Sequence, residues 1–179
     1  MQIPDFFAFS QNSLQDFVDC PRRFELRYLE KLAWPAVRSE PALEVENHML
    51  MGQRFHLMVQ QHQNGLPPEL ITPQAGETQL DEWWQAYLAH APTGLPSMRR
   101  VEFMLTAPFS RYRLVAKYDL LAISPGQKAF ILDWKTNLKK PSRKTLLGRL
   151  QTRLYPFLLV EAGAALHSGK ALLPEQVEL

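Results

Sequence analysis

Two aspartates in the second half of the chain could together hold a divalent metal ion for phosphate chemistry. Asp119 lies near the end of one apolar run, and Asp133 closes the next one, with Lys135 two residues later. A hairpin folding at Ser124–Gln127 would bring Asp119 back beside Asp133. Carboxylate oxygens suit Mg²⁺ or Mn²⁺ better than zinc, and the main-chain carbonyl of Trp134 could complete one side of the coordination shell.

Three further polar residues fit this metal-site interpretation. Lys135 would orient an attacking water or stabilise the pentacovalent phosphorus. Gln151 and Tyr155 stand at positions i and i+4, so on a helix they share one face and could bind the phosphate or fix the lysine. A purely structural interpretation stays open, in which Asp133 and Lys135 form an ion pair and Asp119 is a turn residue.

The middle of the chain predicts a three-stranded antiparallel meander over residues 99–136, because apolar residues there recur with a period of two. In its last strand, Phe130 and Leu132 are expected to face the core, while Asp133 points to the other face. Glu102 is a polar residue on an otherwise apolar strand. It either faces the site or is an ordinary exposed strand glutamate.

Two short helices are expected near the N-terminus. Ser10 or Ser13 can cap the first helix, and Pro21 suits the first turn of the second. Three arginines lie off the apolar face of the second helix: Arg22, Arg23 and Arg27. They could contact phosphates or form a solvated basic face.

Residues 40–64 predict a longer helix. Its expected buried side is Val45, Met49, Phe55, Met58 and Val59. Gly52 precedes His56 by one turn, so its missing side chain should open space beside the histidine. His56 could then ligate metal or contact substrate, or it could be an ordinary core or surface histidine. His48 and His62 are expected at the surface.

A further apolar stripe at helical spacing follows a proline-rich loop over 65–76. Its members are Leu80, Trp83, Trp84, Tyr87 and Leu88. Such a stripe is typical of a core helix. Because adjacent tryptophans must point in different directions, a base-stacking role for one of them is the alternative.

The segment after Lys135 is basic and then helical. Ser142 can cap a helix over residues 142–168, and Pro156 predicts a kink or the start of a new helix. Residues 175–179 have the pattern of a strand that has only begun, which suggests a truncated chain. Four basic residues are additional candidates for nucleic-acid contacts: Lys139, Lys140, Arg143 and Lys144.

The composition is that of an ordinary soluble globular protein. Of 179 residues, 46% are hydrophobic and 21% charged, with a net charge of +2, so one domain over 1–179 is expected, mainly helical over 1–98. No window predicts a signal peptide or a membrane span. The lone cysteine, Cys20, excludes an internal disulfide, and a cytoplasmic location without membrane contact is expected.

Five short motifs, in order, resemble the RecB-like branch of the PD-(D/E)XK nuclease superfamily, as found in AddB and the CRISPR-associated RecB-like exonucleases. They are Cys20-Pro21-Arg22-Arg23-Phe24, Gly52-Gln53-Arg54-Phe55-His56, Asp119, Asp133-Trp134-Lys135-Thr136 and Gln151-Thr152-Arg153-Leu154-Tyr155. The resemblance implies an α+β (α/β) protein. Its restriction-endonuclease-like αβββαβ core would have a mostly antiparallel central sheet and an N-terminal helical region.

The resemblance also implies roles for the site residues. The implied ligands of Mg²⁺ or Mn²⁺ are His56, Asp119, Asp133 and the carbonyl of Trp134. Lys135 would be catalytic, and the pair Gln151 and Tyr155 would support the site. Several relatives hold an iron–sulfur cluster through a cysteine like Cys20 and three later cysteines. No cysteine follows Tyr155 here, so no cluster is expected from this chain alone.

The predicted function is a metal-dependent DNA nuclease that hydrolyses phosphodiester bonds. It would be an exonuclease acting on DNA ends or single strands in DNA repair, recombination or defence, alone or with a helicase or repair partner. The alternative is a catalytically silent nucleic-acid-binding module of a helicase or repair complex. The combination of Asp119, Asp133 and Lys135 favours the nuclease, because a pure binding module has no need of it.

Overall fold

The structure is a computed structural model that describes residues 2–32, 40–76, 78–137 and 139–179. The chain divides into two compact units. The first unit consists of Met1–Trp34, Pro96–Asp133 and Lys139–Leu179. The second unit consists of Pro35–Leu95 and Trp134–Leu138.

One mixed sheet is the framework of the first unit. Its described strands are β1 (Ala8–Ser10), β2 (Met98–Phe109), β3 (Tyr112–Ile123), β4 (Ala129–Leu132) and β5 (Val177–Glu178). β3 pairs antiparallel with β2 and β4, and parallel with β1, while β5 is parallel to β4. The predicted meander and fold class are therefore confirmed. β1 is an addition, since the sequence predicted only helices in this part of the chain.

Of the helices in the described residues, five lie between β1 and β2 and two lie between β4 and β5, so the αβββαβ order of the predicted core is present. These helices are α1 (Gln11–Asp19), α2 (Pro21–Phe24), α3 (Glu40–Gln63), α4 (Pro68–Ile71), α5 (Thr78–His90), α6 (Arg143–Gly148) and α7 (Leu150–Ala162). A π-helical turn over Glu25–Leu29 continues α2. None of them is long and apolar enough to cross a membrane.

The N-terminal helices begin where the sequence predicts. The Ser13 amide donates to Ser10 Oγ at 3.2 Å, and the Ser10 amide donates to Ser13 Oγ at 2.9 Å, which closes a reciprocal cap on α1. Pro21 occupies the first turn of α2, where its missing N–H has no intrahelical partner. Both predicted helix starts are confirmed.

The core of the first unit lies on a different face of β4 from the predicted one. Ala129 and Ile131 are 0% and 3% exposed and belong to the core, whereas Phe130 and Leu132 are only half-buried. The expectation that the latter two face the core is wrong. Every residue of this strand is apolar and at least partly covered, so its pattern does not indicate which face packs more tightly.

The C-terminal helical segment is interrupted earlier than predicted. α6 is capped by Ser142, as expected, and ends at Gly148, after which Arg149 has extended backbone angles. α7 starts at Leu150, whose amide donates to Gln15 Oε1 at 3.1 Å, and runs through Pro156. The break thus falls at the weak helix former Gly148 and at Arg149, and not at the proline.

In the second unit, the helices α3, α4 and α5 enclose a separate core. Its buried residues are Phe55, Met58, Val59, Ile71, Ala75, Leu80, Trp84 and Tyr87. The predicted burial of Val45 and Met49 is wrong, since they are 59% and 60% exposed. The core residues that α3 contributes begin only at Phe55, so periodicity predicted the helix correctly but extended its buried side too far.

Candidate active site

Glu102 and Asp119 bring two carboxylates together across neighbouring strands. Val101 pairs with Leu120 and Phe103 with Tyr118, so the same register sets Glu102 opposite Asp119. A carboxylate oxygen of each residue lies within 4.8 Å of one of the other. Both side chains are half-buried, which reduces the screening of their charges by water.

The backbone of Glu102 is strained. Its φ angle is 51°, in the left-handed region that residues with a side chain rarely adopt. The pairing on both sides keeps one register, so no residue is inserted and the distortion is local. Lys117, two residues before Asp119, forms an ion pair with the Glu102 carboxylate. Strained residues of this kind cluster at functional sites, which makes Glu102 a candidate site residue.

Asp133 lies next to these two carboxylates, and we call Glu102, Asp119 and Asp133 together the acidic row. The pairing of β3 with β4 ends at Leu120 and Leu132, and the next step in the same register is Asp119 opposite Asp133. The hairpin after β3 therefore places the second predicted aspartate beside the first. Glu102, Asp119 and Asp133 follow one another across three adjacent chain segments of the first unit.

Helix α7 contributes two nearly buried polar side chains to the same place. Gln151 Nε2 donates a hydrogen bond to Asp133 Oδ1 at 2.5 Å. The pKa of Tyr155 is raised, first by burial and then by the charges of Asp133 and Asp119, against which its hydrogen bond with Gln151 acts. The spacing of four residues predicted from the sequence thus brings both side chains to the acidic row.

A buried hydrogen bond fixes α7 on β3. The Tyr118 hydroxyl donates to the main-chain oxygen of Tyr155 at 2.8 Å, and the two rings lie 4.9 Å apart. Tyr118 is fully buried, and burial raises its pKa. This contact holds the helix turn that carries Tyr155 in place.

The donor set of the acidic row fits a divalent metal ion. Glu102, Asp119 and Asp133 offer hard carboxylate oxygens, which Mg²⁺ and Mn²⁺ prefer. The carboxylates of Glu102 and Asp119 lie within 4.8 Å of one another, and a cation bound between them would offset their mutual repulsion. The sequence alone left the role of Glu102 open. Its one signal there was a polar residue on an apolar strand.

The model of one protein family matches residues 8–177, almost the entire chain, and its description is PD-(D/E)XK nuclease superfamily. The chain belongs to the PD-(D/E)XK nuclease superfamily. No curated protein and no solved structure gives a significant match. PD-(D/E)XK nucleases use divalent metals and act on DNA, so membership supports a metal-dependent nuclease.

Other residues of the nuclease motifs lie in the second unit. His56 is half-buried on α3, and Lys135 is exposed, one residue beyond the half-buried Trp134. A side chain at Gly52 would approach Thr136 Oγ1 to 2.9 Å. The glycine therefore makes room for Thr136, at the end of the Asp133-Trp134-Lys135-Thr136 motif, and not for the histidine as expected.

Two histidines of this nuclease domain have structural partners. His48 Nε2 is 2.5 Å from the main-chain oxygen of Thr136, and His62 Nδ1 is 2.8 Å from the hydroxyl of Tyr87. Both are half-buried, so the expectation that they lie at the surface is wrong. Through these contacts His48 connects helix α3 to Thr136, and His62 connects it to α5.

The basic candidates for DNA contacts fall into two groups. Arg22, Arg23 and Arg27 are all in ion pairs, with Glu25 and Glu30, with Asp16 and Asp19, and with Asp16, respectively. The second group is exposed and forms no ion pair with any residue that the structure describes: Lys139, Lys140, Arg143 and Lys144. The ion pairs give the first group a structural role within the N-terminal helices.

Proposed function

We propose that this chain is a metal-dependent DNA nuclease of the RecB-like branch, acting as an exonuclease on DNA ends or single strands. The observation that carries the proposal is the acidic row of Glu102, Asp119 and Asp133, with Gln151 bonded to its last member. Its biological setting would be DNA repair, recombination or defence in the cytoplasm, with a helicase or repair protein as partner.

The proposed metal ligands come from the acidic row and from two further motifs of the sequence. They are His56, Glu102, Asp119, Asp133 and the main-chain carbonyl of Trp134. When bound, Mg²⁺ or Mn²⁺ would neutralise charge on the phosphodiester and lower the pKa of water. The hard oxygen donors of the row support this choice of metal.

The remaining site residues would orient a metal ligand and stabilise charge on the phosphate. Gln151 holds Asp133 Oδ1 in one orientation, as second-layer partners of metal ligands do. Tyr155 keeps its phenol proton at neutral pH, because burial and the neighbouring carboxylates raise its pKa. Lys135 offers an ammonium group that would stabilise the negative charge developing on the phosphate.

Cleavage of labelled DNA by the purified chain tests the proposal. With Mn²⁺ or Mg²⁺ the unmutated chain should degrade linear DNA, and Asp133→Ala and Lys135→Ala should each abolish degradation while the circular dichroism spectrum is retained. Lys170→Ala is a matched control, because Lys170 is an exposed lysine that belongs to none of the motifs. Unchanged cleavage by Asp133→Ala would reject the mechanism.

Comparing linear with circular DNA distinguishes an exonuclease from an endonuclease and from a binding module. An exonuclease should degrade linear single strands and leave circular single strands intact, whereas an endonuclease should cut both. Binding of all forms without cleavage in either metal would instead favour the catalytically silent binding module.

A further inference from the structure

The second unit contains a cavity of about 270 Å³ that is lined mainly by aromatic side chains. Its walls are the described segment Trp134–Thr136 and the face of α5 that carries Trp83 and Tyr87. Trp83 and Trp134 are half-buried, so each indole is partly exposed. The exposed Lys135 also lines the cavity.

The walls of this aromatic pocket are held by specific contacts. His48 bonds the main-chain oxygen of Thr136 at 2.5 Å and meets the Trp83 ring edge to face at 5.3 Å. The other described ring that contacts Trp83 is Phe55, also nearly perpendicular. Trp134 meets Tyr87 at an interplanar angle of 76°. The pocket is therefore preformed, and no described ring lies flat on the Trp83 indole.

The chemistry of the pocket matches one unpaired nucleobase. Pockets that bury drug-sized molecules measure about 300–1,000 Å³, so this smaller one suits a single planar ring system. Stacking on an indole does not depend on which base is present. The Lys135 ammonium at the same cavity can pair with the adjoining backbone phosphate.

We propose that the pocket between Trp83 and the segment Trp134–Thr136 binds one unpaired base of single-stranded DNA. The inference takes its substrate class from the proposed nuclease function. Trp134 and Lys135 follow Asp133 directly in the chain, so a strand with one base in the pocket has its backbone beside the motif that ends the acidic row. A base inside a duplex would first have to unstack and unpair, and this energetic cost makes the pocket selective for single strands.

The test is equilibrium binding without metal, which does not depend on cleavage. The affinity of a short fluorescent oligothymidylate is measured by anisotropy in EDTA, together with the same strand carrying a single abasic site at each position in turn. For the unmutated chain, the abasic site at one position should weaken binding about tenfold, in line with the effect of one base–aromatic stack. The other positions should have smaller effects.

Three variants locate this effect in the pocket. Trp83→Ala should weaken binding about tenfold and remove the sensitivity to that abasic position, while Trp83→Phe should keep most of both. Ala86→Phe fills the pocket from an exposed position of α5, so it should weaken binding without removing any packing. Phe109→Ala, an exposed aromatic of the first unit, is the control and should bind normally.

The outcomes separate this inference from the nuclease proposal. Three results would each reject base binding in the pocket. They are equal sensitivity of the unmutated chain to every abasic position, unchanged sensitivity to the one position in Trp83→Ala, and full affinity of Ala86→Phe for the oligothymidylate. Should Trp83→Ala fail to fold, Ala86→Phe decides alone. Base-dependent binding without Mn²⁺-dependent cleavage would support the pocket and reject only the nuclease activity, whereas cleavage without base dependence would reject only the pocket.

Discussion

Glu102 on β2 lies opposite Asp119 on β3, and it does so with a backbone φ angle of 51°. A left-handed backbone costs a residue with a side chain about 1–2 kcal/mol. The strain coincides with two carboxylates within 4.8 Å of one another, and Lys117 pairs with the carboxylate of Glu102. The backbone strain does not favour the folded state, so it indicates a position with a chemical role.

Replacing Glu102 should therefore separate stability from activity. In Glu102→Gly the left-handed backbone loses its strain, so we expect the free energy of unfolding to exceed that of Glu102→Ala by about 1 kcal/mol. Both variants lack the carboxylate and should lose metal-dependent cleavage equally. Urea denaturation in EDTA measures the first effect and DNA cleavage the second. Equal stability of the two variants would mean that the strain carries no energetic cost.

Metal binding should raise thermal stability through Asp119. In EDTA we expect Asp119→Asn and the unmutated chain to melt at similar temperatures, since Lys117 already pairs with the neighbouring Glu102 carboxylate. On addition of Mn²⁺ the unmutated chain should melt higher, because a ligand that binds only the folded state stabilises it by mass action. Melting curves at increasing Mn²⁺ concentration check both halves. Parallel rises for the two proteins would show that Asp119 is not a ligand.

The contact of Gln151 with Asp133 should matter for metal affinity more than for folding. We expect Gln151→Ala to need 10- to 100-fold more Mn²⁺ for half-maximal cleavage, as for other second-layer partners of ligands. The control is Gln15→Ala, another glutamine bonded to the start of α7, through the Leu150 amide. That variant should lower the melting temperature and leave the Mn²⁺ requirement unchanged.

The elements were more predictable from the sequence than the depth of their burial. Local signals such as the Ser10 cap, Pro21 and the period-two strands determine structure within a few residues, and these predictions held. The exposure of Val45 and Met49 depends on what packs against α3, which its own periodicity does not contain. Likewise, the pattern of β4 could not indicate which of its two covered faces is the deeper one.

The site showed the same division between local and nonlocal information. Asp119 and Asp133 could be paired from the sequence because a short hairpin joins them. Glu102 remained ambiguous because its role depends on the register of β2 against β3 and on an unusual backbone angle. The contact of Gly52 with Thr136 spans more than eighty residues and left no local signal.

High pH should destabilise the first unit through Tyr118 and Tyr155. Burial raises the pKa of both phenols above the ordinary value of 10.0, so above about pH 10 they ionise in the unfolded chain before they do in the folded one. The free energy of unfolding should then fall by up to about 1.4 kcal/mol per pH unit for each residue. Tyr118→Phe, less stable at neutral pH, should show a shallower fall. Urea denaturation at pH 8 and at several values above 10 measures the slopes.

The two groups of basic residues should affect different properties: one the affinity for DNA, the other the stability of the fold. We expect Arg143→Gln with Lys144→Gln to weaken single-strand binding and to flatten its salt dependence by about 0.7 in log–log slope for each lost phosphate contact. Arg23→Gln with Arg27→Gln should instead leave DNA affinity unchanged and lower the free energy of unfolding by about 1 kcal/mol, because both arginines pair with Asp16. Anisotropy at several salt concentrations and urea denaturation compare the two double variants.

The pH dependence of that stability loss identifies Asp16 as its cause. Burial raises the pKa of Asp16, but hydrogen bonds from Arg27 and Tyr28 and the charges of Arg23 and Arg27 outweigh it, so the pKa lies below the ordinary 3.8. The stabilisation is therefore present above about pH 4 and lost as the pH falls through the lowered pKa. The difference between the unmutated chain and the Arg23→Gln, Arg27→Gln variant should shrink over that range. A difference that persists at pH 2 would assign it to lost packing of the arginine stems.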